Sequence, residues 1–321
     1  MRAVVVRSIG GPEVLGLEEV EPPGAPAAGE ALVRIEAVGV NYADTERRRG
    51  VYSPPPLPWI PGREAAGVVV DVGPGVDRGV VGACVAFYSN QSSGTYAESA
   101  LVPASALFRF EDETPFETMA ALPAQGLTAH GVLRLAGPAH GRTALVLAAA
   151  GGVGQILAQL ALRAGIRVIG AVSAAAKEPA VASLGAEVIV GYANLAAEAR
   201  ARTDGRGVDL VFDSLGRATQ GESLGALARY GQLVFYGDSS GLPEPIDIDA
   251  LYERSLRVGA FGLDIERDPE GLEAARRDLL GALSSGALRI APPRAYPLAE
   301  AAAAHAAIES RETTGKIVLN P

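Results

Sequence analysis

The sequence predicts an α/β protein that contains a doubly wound parallel sheet and, before it, a domain made mainly of β-strands. From Thr143 onward, apolar runs of strand length alternate with helical runs, which favours parallel strands joined by right-handed crossovers. Roughly the first 120 residues are instead rich in Val, Gly and Pro, with short apolar runs between turn residues. The chain has 321 residues, 48% of them apolar, which suits two domains that each bury a core.

The β-rich part contains short strands bounded by glycine and proline. Strands are predicted at 3–6, 31–37, 66–72 and 80–87. Consecutive prolines exclude helix and ladder pairing, so residues 54–58 are predicted to form an extended loop. The run Thr114-Pro115-Phe116-Glu117 has the pattern of a capping box with proline at the first helical position. Helical segments are therefore predicted at 119–122 and from Leu127.

The second part alternates between strand and helix. Its strands are predicted at 144–147, 167–172, 186–190, 210–212, 233–236 and 258–261. One helix is predicted between the first strand and Gly165, and another around 180–184. Helices at 270–283 and 299–310 and a strand at 316–319 complete the chain.

The composition disfavours several classes of protein. The net charge of −9 argues against a general nucleic-acid or membrane-surface binder, since like charges repel. A single cysteine, Cys84, leaves no internal disulfide and suits a reducing compartment. The most apolar stretch, 144–162, is interrupted by glycines, and the N-terminus lacks the pattern of a signal peptide. We therefore expect a soluble cytoplasmic protein without a membrane span.

A glycine-rich turn follows the first strand of the alternating part. Gly151 and Gly152 allow the backbone to turn tightly and approach a pyrophosphate, and Gly154 lets the next helix pack closely on the strand. The helix N-terminus then offers N–H groups and a partial positive charge to the phosphates. An ordinary tight turn between strand and helix is the alternative interpretation. The complete strand–turn–helix–strand unit favours dinucleotide binding.

The end of the second strand distinguishes between the two nicotinamide dinucleotides. A protein that selects NAD usually places a carboxylate there for the ribose 2′-hydroxyl. This chain has Ser173 and Lys177 instead, and a hydroxyl and an ammonium group suit a 2′-phosphate. NADPH is therefore the predicted cofactor. A solvated helix residue is the alternative interpretation of Lys177.

Several ordered motifs run along essentially the whole chain. They are Gly10-Gly11-Pro12-Glu13-Val14-Leu15, Gly39-Val40-Asn41-Tyr42-Ala43-Asp44-Thr45, Gly50-Val51-Tyr52, Gly62-Arg63-Glu64-Ala65-Ala66-Gly67, Gln125-Gly126-Leu127-Thr128-Ala129, the glycine-rich turn, Asp213-Ser214-Leu215-Gly216, Gly237-Asp238-Ser239-Ser240-Gly241 and Glu309-Ser310-Arg311. In order and spacing these motifs resemble the zinc-independent quinone oxidoreductases of the medium-chain dehydrogenase/reductase superfamily, which include the zeta-crystallin-like proteins.

The resemblance implies a GroES-like catalytic domain split between 1–122 and 264–321, and a Rossmann domain at 123–263 that binds NADPH. The active site would lie in the cleft between them, with Asn41 near the nicotinamide. A homodimer formed through the Rossmann sheet is also implied. The residues implied to contact the cofactor are Asn41, Thr128, Gly151, Gly152, Val153, Ser173, Lys177, Tyr192, Asp238, Ser239, Ser240, Phe261, Leu263 and Arg311.

The same resemblance predicts no bound metal. Zinc-binding relatives place cysteine where this chain has Asn41 and histidine where it has Arg63. Catalytic zinc needs about three protein ligands, and we assemble no such set from the three histidines, His130, His140 and His305.

Without a metal, reduction of a conjugated carbonyl is the favoured chemistry, because the product anion is already delocalised. We predict a quinone or related enone as substrate, with Asn41 and Tyr52 as candidates for contact with its oxygen. A ring that only packs against the cleft wall is the alternative for Tyr52, and Glu46 stands where some relatives carry tyrosine. Two other functions stay open: an enoyl or 2-alkenal reductase, and a nucleotide-sensing or RNA-binding zeta-crystallin-like protein, which the negative charge disfavours.

Overall fold

The structure is a computed structural model that describes residues 1–52, 56–111, 113–264 and 268–321. Part of the proline-rich loop predicted at 54–58 therefore lies outside the described residues. The chain forms two compact units. The first comprises Met1–Ala124 and Ile290–Pro321, and the second comprises Gln125–Arg289. In the described ranges, no helix combines the length and the apolar character that crossing a membrane requires.

The first unit is built mainly from antiparallel strands. Its elements are β1 (Arg2–Val6), β2 (Leu15–Glu19), β3 (Glu30–Val40), α1 (Tyr42–Arg48), β4 (Glu64–Val72), β5 (Cys84–Tyr88), β6 (Ser99–Pro103), β7 (Leu107–Arg109), α2 (Phe116–Met119), β14 (Arg294–Pro297), α10 (Ala301–Glu309) and β15 (Ile317–Asn320). Seven strands form one sheet in the order β14-β15-β3-β4-β5-β7, with β6 also paired to β3. Because β15 pairs with β3, the last strand of the chain lies in this unit.

Two local predictions in the first unit are wrong. The predicted strand 80–87 begins only at Cys84, because Arg78–Val80 form a turn of 3₁₀ helix that Asp77 caps by accepting the Gly79 N–H. The capping box does not form either. Pro115 is the residue that caps α2, without a side-chain hydrogen bond, and the helix ends at Met119 rather than at 122.

The second unit contains the predicted doubly wound sheet. Its elements are α3 (Pro123–Ala136, whose first two residues belong to the first unit), β8 (Thr143–Val146), α4 (Gly152–Arg163), β9 (Arg167–Val172), α5 (Glu178–Ala182), β10 (Glu187–Val190), α6 (Leu195–Ala201), β11 (Val208–Asp213), α7 (Gln220–Ala226), β12 (Leu227–Phe235), α8 (Ile248–Tyr252), β13 (Arg257–Ala260) and α9 (Pro269–Ser284). All six strands are parallel, in the order β10-β9-β8-β11-β12-β13. The predicted fold class is confirmed.

The core of this sheet shows why the strands read as continuous apolar runs. Both faces of a parallel sheet are covered by helices, so its strands need no polar face. Leu145, Ile169, Val211 and Leu233, one from each of four neighbouring strands, are completely buried and belong to the same cluster as Leu195 of α6.

Residues 268–289 lie with the second unit, whereas the sequence assigned 264–321 to the first domain. The reason lies in contacts of α9 and its ends. Arg134 pairs with Asp268, and Arg163 pairs with Asp278. The Gln159 side chain also exchanges two hydrogen bonds with the Arg289 backbone, at 2.8 and 3.0 Å. These polar contacts bind α9 to α3 and α4.

A glycine in α3 makes room for an aromatic ring after β13. A Cβ atom built on Gly131 would overlap the ring of Phe261. Glycine in a helix interior costs about 1 kcal/mol relative to alanine. Gly131 therefore lowers the stability of the helix but permits close packing of the Phe261 ring.

Replacing Gly131 by alanine should lower the free energy of unfolding by about 1–3 kcal/mol, because the Phe261 ring must shift. The matched control is Gly281→Ala in α9, where a Cβ atom meets nothing within 4 Å. That variant should gain about 0.5–1 kcal/mol. Urea unfolding of the three proteins measures both effects, and equal changes in the two variants would contradict the packing argument.

Candidate cofactor and active site

The glycine-rich turn lies at the point where the strand order of the parallel sheet reverses. β8 is the first strand along the chain, and its neighbours are β9 on one side and β11 on the other. Connections leaving β8 and β11 therefore run to opposite sides, which opens a crevice at the carboxyl ends of these strands. The turn 147–151 begins where β8 ends and lies at this crevice.

The backbone of the turn has the geometry that a phosphate requires. Gly151 caps α4, whose first residue is Gly152, so the N–H groups at this end are available to a ligand. Gly154 is buried, and a Cβ atom there would overlap the carbonyl oxygen of Ala148. Gly151, Gly152 and Val153 are partly exposed. The predicted roles of these glycines are thus consistent with the structure, and phosphate contact itself stays a prediction.

The loops after β9 and β10 bring three predicted residues to one edge of the sheet. Val172 pairs with Val190 at the ends of the two strands, and the Gly191 N–H donates to the Val172 carbonyl at 2.8 Å. Ser173 follows one strand end and Tyr192 lies just past the other. Lys177 closes a short 3₁₀ turn that starts two residues after Ser173 and is partly buried.

The loops after β11 and β12 are tied together by hydrogen bonds. The buried Asp213 carboxylate accepts from the N–H groups of Leu215 and Gly216 and from the hydroxyls of Thr219 and Ser223, at 2.7–3.1 Å. Ser240 Oγ donates to the Leu215 carbonyl at 2.6 Å and accepts from the Ala218 N–H at 2.9 Å.

The loop after β12 carries three polar residues that are predicted to contact the cofactor. Their surroundings differ. Ser239 Oγ lies 3.4 Å from the Ser214 carbonyl, and Asp238 is partly exposed beside it. Ser240 holds the loop, so its hydroxyl already has two partners within the unit. Asp213 belongs to one of the sequence motifs, but the sequence did not predict its organising role, which only the fold reveals.

Residues predicted to line the nicotinamide side lie along α3 and the segment after β13. Phe261 packs on Gly131, and Phe261 and Leu263 border a cavity of about 180 Å³ that also touches His130 and Arg134. Burial lowers the pKa of His130. Thr128 is partly buried on α3.

In the first unit, Asn41 belongs to a buried hydrogen-bond network. β15 pairs with β3 so that Ile317 faces Val40, and the next residues, Lys316 and Asn41, meet beyond this pair. Lys316 Nζ donates to Asn41 Oδ1 at 2.8 Å and to Glu64 Oε2 at 2.7 Å. Asn41 Nδ2 donates to the same Glu64 oxygen at 3.0 Å. The amide of Asn41 is therefore fixed in orientation.

Glu64 needs a glycine beside it. The side chain is fully buried, and its other oxygen accepts the Ala124 N–H at 2.6 Å. A Cβ atom on Gly39 would lie 2.5 Å from Glu64 Oε2. The signal for this network in the sequence is a carboxylate and an ammonium group next to apolar strands, since buried charges must be paired.

Asp44 adjoins this network. Its Oδ2 accepts the Asn41 N–H at 2.9 Å. Burial raises the pKa of Asp44 to about 6, against the lowering effects of the Asn41 N–H and of the positive charges on Arg63 and Lys316.

Tyr52 and Arg311, also predicted as site residues, lie elsewhere in this unit. Tyr52 is 37% exposed after α1, and Glu46 is buried within α1. Arg311 follows α10 with a φ of 59° and borders a surface hollow with Arg48 and Glu309. Arg311 and Lys177 belong to different units, so their shared contact with a 2′-phosphate stays a prediction.

The three histidines have separate environments. His305 is buried and bonds to Tyr96 Oη at 2.8 Å, and burial together with the neighbouring Arg48 lowers its pKa to about 3. His140 packs against Gly165, and His130 lies on α3. Within the described ranges, no group of three or more His, Cys, Asp or Glu side chains is arranged to hold a metal ion.

Comparison with known families agrees with this architecture. The family model described as alcohol dehydrogenase GroES-like domain matches residues 27–112, and the one described as zinc-binding dehydrogenase matches residues 184–319. A GroES-like unit together with a Rossmann unit that carries the glycine-rich turn defines a medium-chain dehydrogenase/reductase.

Individual relatives narrow the assignment. The chain is 38% identical to a quinone oxidoreductase of Pseudomonas aeruginosa over 317 residues, 97% of either chain. It is 35% identical to a 2-haloacrylate reductase of a Burkholderia species over 332 residues, 99% of this chain and 98% of that one. The solved structure of Escherichia coli quinone oxidoreductase complexed with NADPH superposes with a TM-score of 0.92 at 34% identity, covering 100% of both chains. The chain belongs to the quinone oxidoreductase family, as the motifs predicted.

The raised pKa of Asp44 predicts a specific dependence of stability on pH. The folded state holds this proton more tightly than the unfolded chain, whose pKa is near 3.8. The stabilisation is therefore fully present below about pH 4 and is lost as pH rises through 6, amounting to about 3 kcal/mol at most. In Asp44→Asn this pH-dependent stabilisation is absent, while the amide oxygen of the new side chain can still accept the Asn41 N–H.

Urea unfolding of the parent and Asp44→Asn between pH 4 and pH 7 measures the effect. The stability difference, parent minus variant, should fall by about 2–3 kcal/mol over this interval. The matched control is Glu21→Gln, at an exposed carboxylate of the same unit. A difference that changes no more for Asp44→Asn than for this control would show that the carboxyl does not titrate as described.

Proposed function

We propose that this protein is an NADPH-dependent quinone oxidoreductase that reduces quinones or related conjugated carbonyls. The observation that carries the proposal is the glycine-rich turn at the switch point of the parallel sheet, followed at the next strand end by Ser173 and Lys177 rather than a carboxylate. Named relatives and an NADPH-bound structural neighbour support the same function.

The residues of the second unit fit NADPH. The α4 N-terminus would hold the pyrophosphate, and Ser173, Lys177 and Tyr192 would surround the 2′-phosphate, joined by Arg311 of the first unit. Thr128, Asp238, Ser239, Phe261 and Leu263 would border the nicotinamide half. NADPH supplies a hydride to the acceptor when it is bound.

Asn41 would orient the reacting groups, because Lys316 and Glu64 hold its amide in one orientation. Tyr52 is a second candidate for contact with the acceptor. Residues that exclude water and align two flat rings supply much of the catalysis that such a transfer requires. The proton that completes the reduction comes from solvent, and no side chain is assigned as its donor.

The residues at the positions where zinc-binding relatives have their ligands do not fit zinc. Asn41 Oδ1 and Glu64 Oε2 both accept hydrogen bonds from the ammonium group of Lys316, so a buried cation already uses these oxygens. Arg63, a second cation, stands at the position where zinc-binding relatives have histidine. We therefore propose a zinc-independent enzyme, although one matching family model is described as zinc-binding dehydrogenase.

A conjugated acid or enone is the second candidate class of substrate, and the similarity to a 2-haloacrylate reductase favours it. We further propose a homodimer that pairs through β13, an edge strand of the parallel sheet. Tyr230 and Tyr252 of the same unit are 64% and 75% exposed, which supports an interface there. The cytoplasmic location and the absence of nucleic-acid binding stay predictions.

The substrate class is tested by measuring NADPH oxidation with a small quinone and with a neutral enone, and NADP⁺ reduction with a primary alcohol. Quinone or enone turnover should exceed alcohol turnover, because no metal stabilises an alkoxide. Activity should also survive exhaustive chelation, with less than stoichiometric zinc by elemental analysis. Faster oxidation of the alcohol, or one tightly bound zinc per chain, would overturn this assignment.

The cofactor preference is tested with Lys177→Ala and Arg311→Ala. A 2′-phosphate needs charge-assisted hydrogen bonds to offset its desolvation. Losing one such bond should weaken NADPH binding about 10- to 100-fold. NADH lacks the phosphate and serves as the control for each variant, so its affinity should hardly change. Equal loss for both cofactors, or a parent enzyme that prefers NADH, would contradict the proposed pocket.

A further inference from the structure

A cavity of about 470 Å³ lies in the first unit, and every residue that borders it belongs to that unit. One part of its wall is apolar and includes Trp59 and Ile60. Another part carries Arg47 from the end of α1 and Arg63 from the residue before β4. A volume of this size holds a small ring or a short chain with a polar group.

The charges around this cavity do not cancel. Arg7, at its border, exchanges two hydrogen bonds with Glu18 at 2.7 and 2.8 Å and is thereby neutralised. In the part of the chain that the structure describes, neither Arg47 nor Arg63 forms an ion pair. Asp44 is the one carboxylate among the bordering residues that the structure describes. Two guanidinium groups therefore face a single carboxylate, and positive charge is in excess.

Arg63 is held at the cavity by its neighbours. Its Nη1 donates to Tyr88 Oη at 3.5 Å, and the charge of Arg63 acts on the nearby Asp44. The Arg63 carbonyl accepts the Ser89 N–H at 2.9 Å. A guanidinium whose backbone is fixed in this way, beside an apolar wall, is arranged to bind an anion.

Asn41 does not border the cavity but contacts Asp44, a residue that does. Asp44, which borders it, accepts the Asn41 N–H, and Glu64, which follows Arg63, accepts from the Asn41 side chain. Because we assign Asn41 to the nicotinamide, we also assign a ligand in this cavity as the hydride acceptor. This step rests on the proposed function.

We propose that the natural acceptor carries a carboxylate that pairs with Arg63 and Arg47, next to the conjugated double bond that is reduced. In such a reaction the acceptor takes a hydride at one alkene carbon and a solvent proton at the other. The carbon–carbon π bond breaks, two C–H bonds form, and NADPH is oxidised to NADP⁺. The substrate class is thus an unsaturated keto acid, and a neutral quinone is a poorer substrate.

The test compares 4-oxopent-2-enoate with its methyl ester, two enones that differ by one negative charge. The ester is the better electrophile, so chemistry alone favours it. The parent enzyme should nevertheless reduce the acid with a kcat/KM at least about tenfold higher. In Arg63→Gln, the kcat/KM for the acid divided by the kcat/KM for the ester should fall about 10- to 100-fold, as expected for the loss of one charge-assisted contact.

Arg49→Gln is the matched control. Arg49 directly follows α1, carries the same charge as Arg63 and does not border this cavity. In this variant the acid-to-ester ratio of kcat/KM should change less than about threefold, the shift expected from long-range charge alone. A ratio that is equally affected in the two variants, or a parent enzyme without preference for the acid, would overturn the proposal.

A measurement on the unmodified enzyme removes any dependence on how the variants fold. Levulinate, the product of the acid, should inhibit reduction of a neutral quinone in competition with that quinone, and methyl levulinate should inhibit it at least about tenfold less well. Equal inhibition would count against the anion site. If the neutral quinone and both enones are all left unreduced by NADPH, the proposed function fails; if they are reduced without acid preference, only this inference fails.

Discussion

The first unit depends on the burial of one charge, the carboxylate of Glu64. A fully buried carboxylate is costly unless it is paired and hydrogen-bonded. The fold meets this requirement with Lys316 just before β15, the Asn41 amide just after β3 and the Ala124 N–H at the start of α3. The carboxylate therefore binds together segments from both ends of the chain. Removing any one partner would leave a charge or a donor unpaired in the interior.

The same constraint decides what Asn41 can do. Its amide oxygen and nitrogen have different partners, so the side chain cannot flip without loss of two hydrogen bonds. A side chain held in this way suits a group that must orient a flat ring. The network also places the Lys316 ammonium group against the oxygens of Asn41 and Glu64, which supports the proposed independence of zinc. Arg63 extends this positive field toward the neighbouring cavity.

The second unit depends on the close approach of backbone segments to their neighbours. Here the residues that matter are those without side chains. Gly154 lets α4 approach the turn, and Gly131 lets α3 accept the Phe261 ring. The buried Asp213 organises the loop after β11 through four hydrogen bonds. Loops held by such bonds position ligand contacts without regular secondary structure.

Local pattern was sufficient for much of the architecture. The predicted strand 167–172 coincides with β9, and the order of strands and helices after residue 143 follows the alternation of apolar runs. Such runs are visible because parallel strands are buried on both faces. Short elements were missed, including α1 and α6, and the predicted capping box at 114–117 did not form. Their ends are decided by packing that acts over long separations in sequence.

The sequence alone determined the class of fold, the position of the glycine-rich turn and the family, because these depend on local spacing and on ordered motifs. Only the tertiary structure decided that residues 268–289 pack with the second unit, since that outcome depends on ion pairs such as Arg134 with Asp268. It also decided that Lys316 meets Asn41 and Glu64, and that Arg47 and Arg63 share a cavity. Those contacts join residues that are separated in the chain. Lys316 meets Asn41 only because β15 pairs with β3 in the register that sets Ile317 opposite Val40.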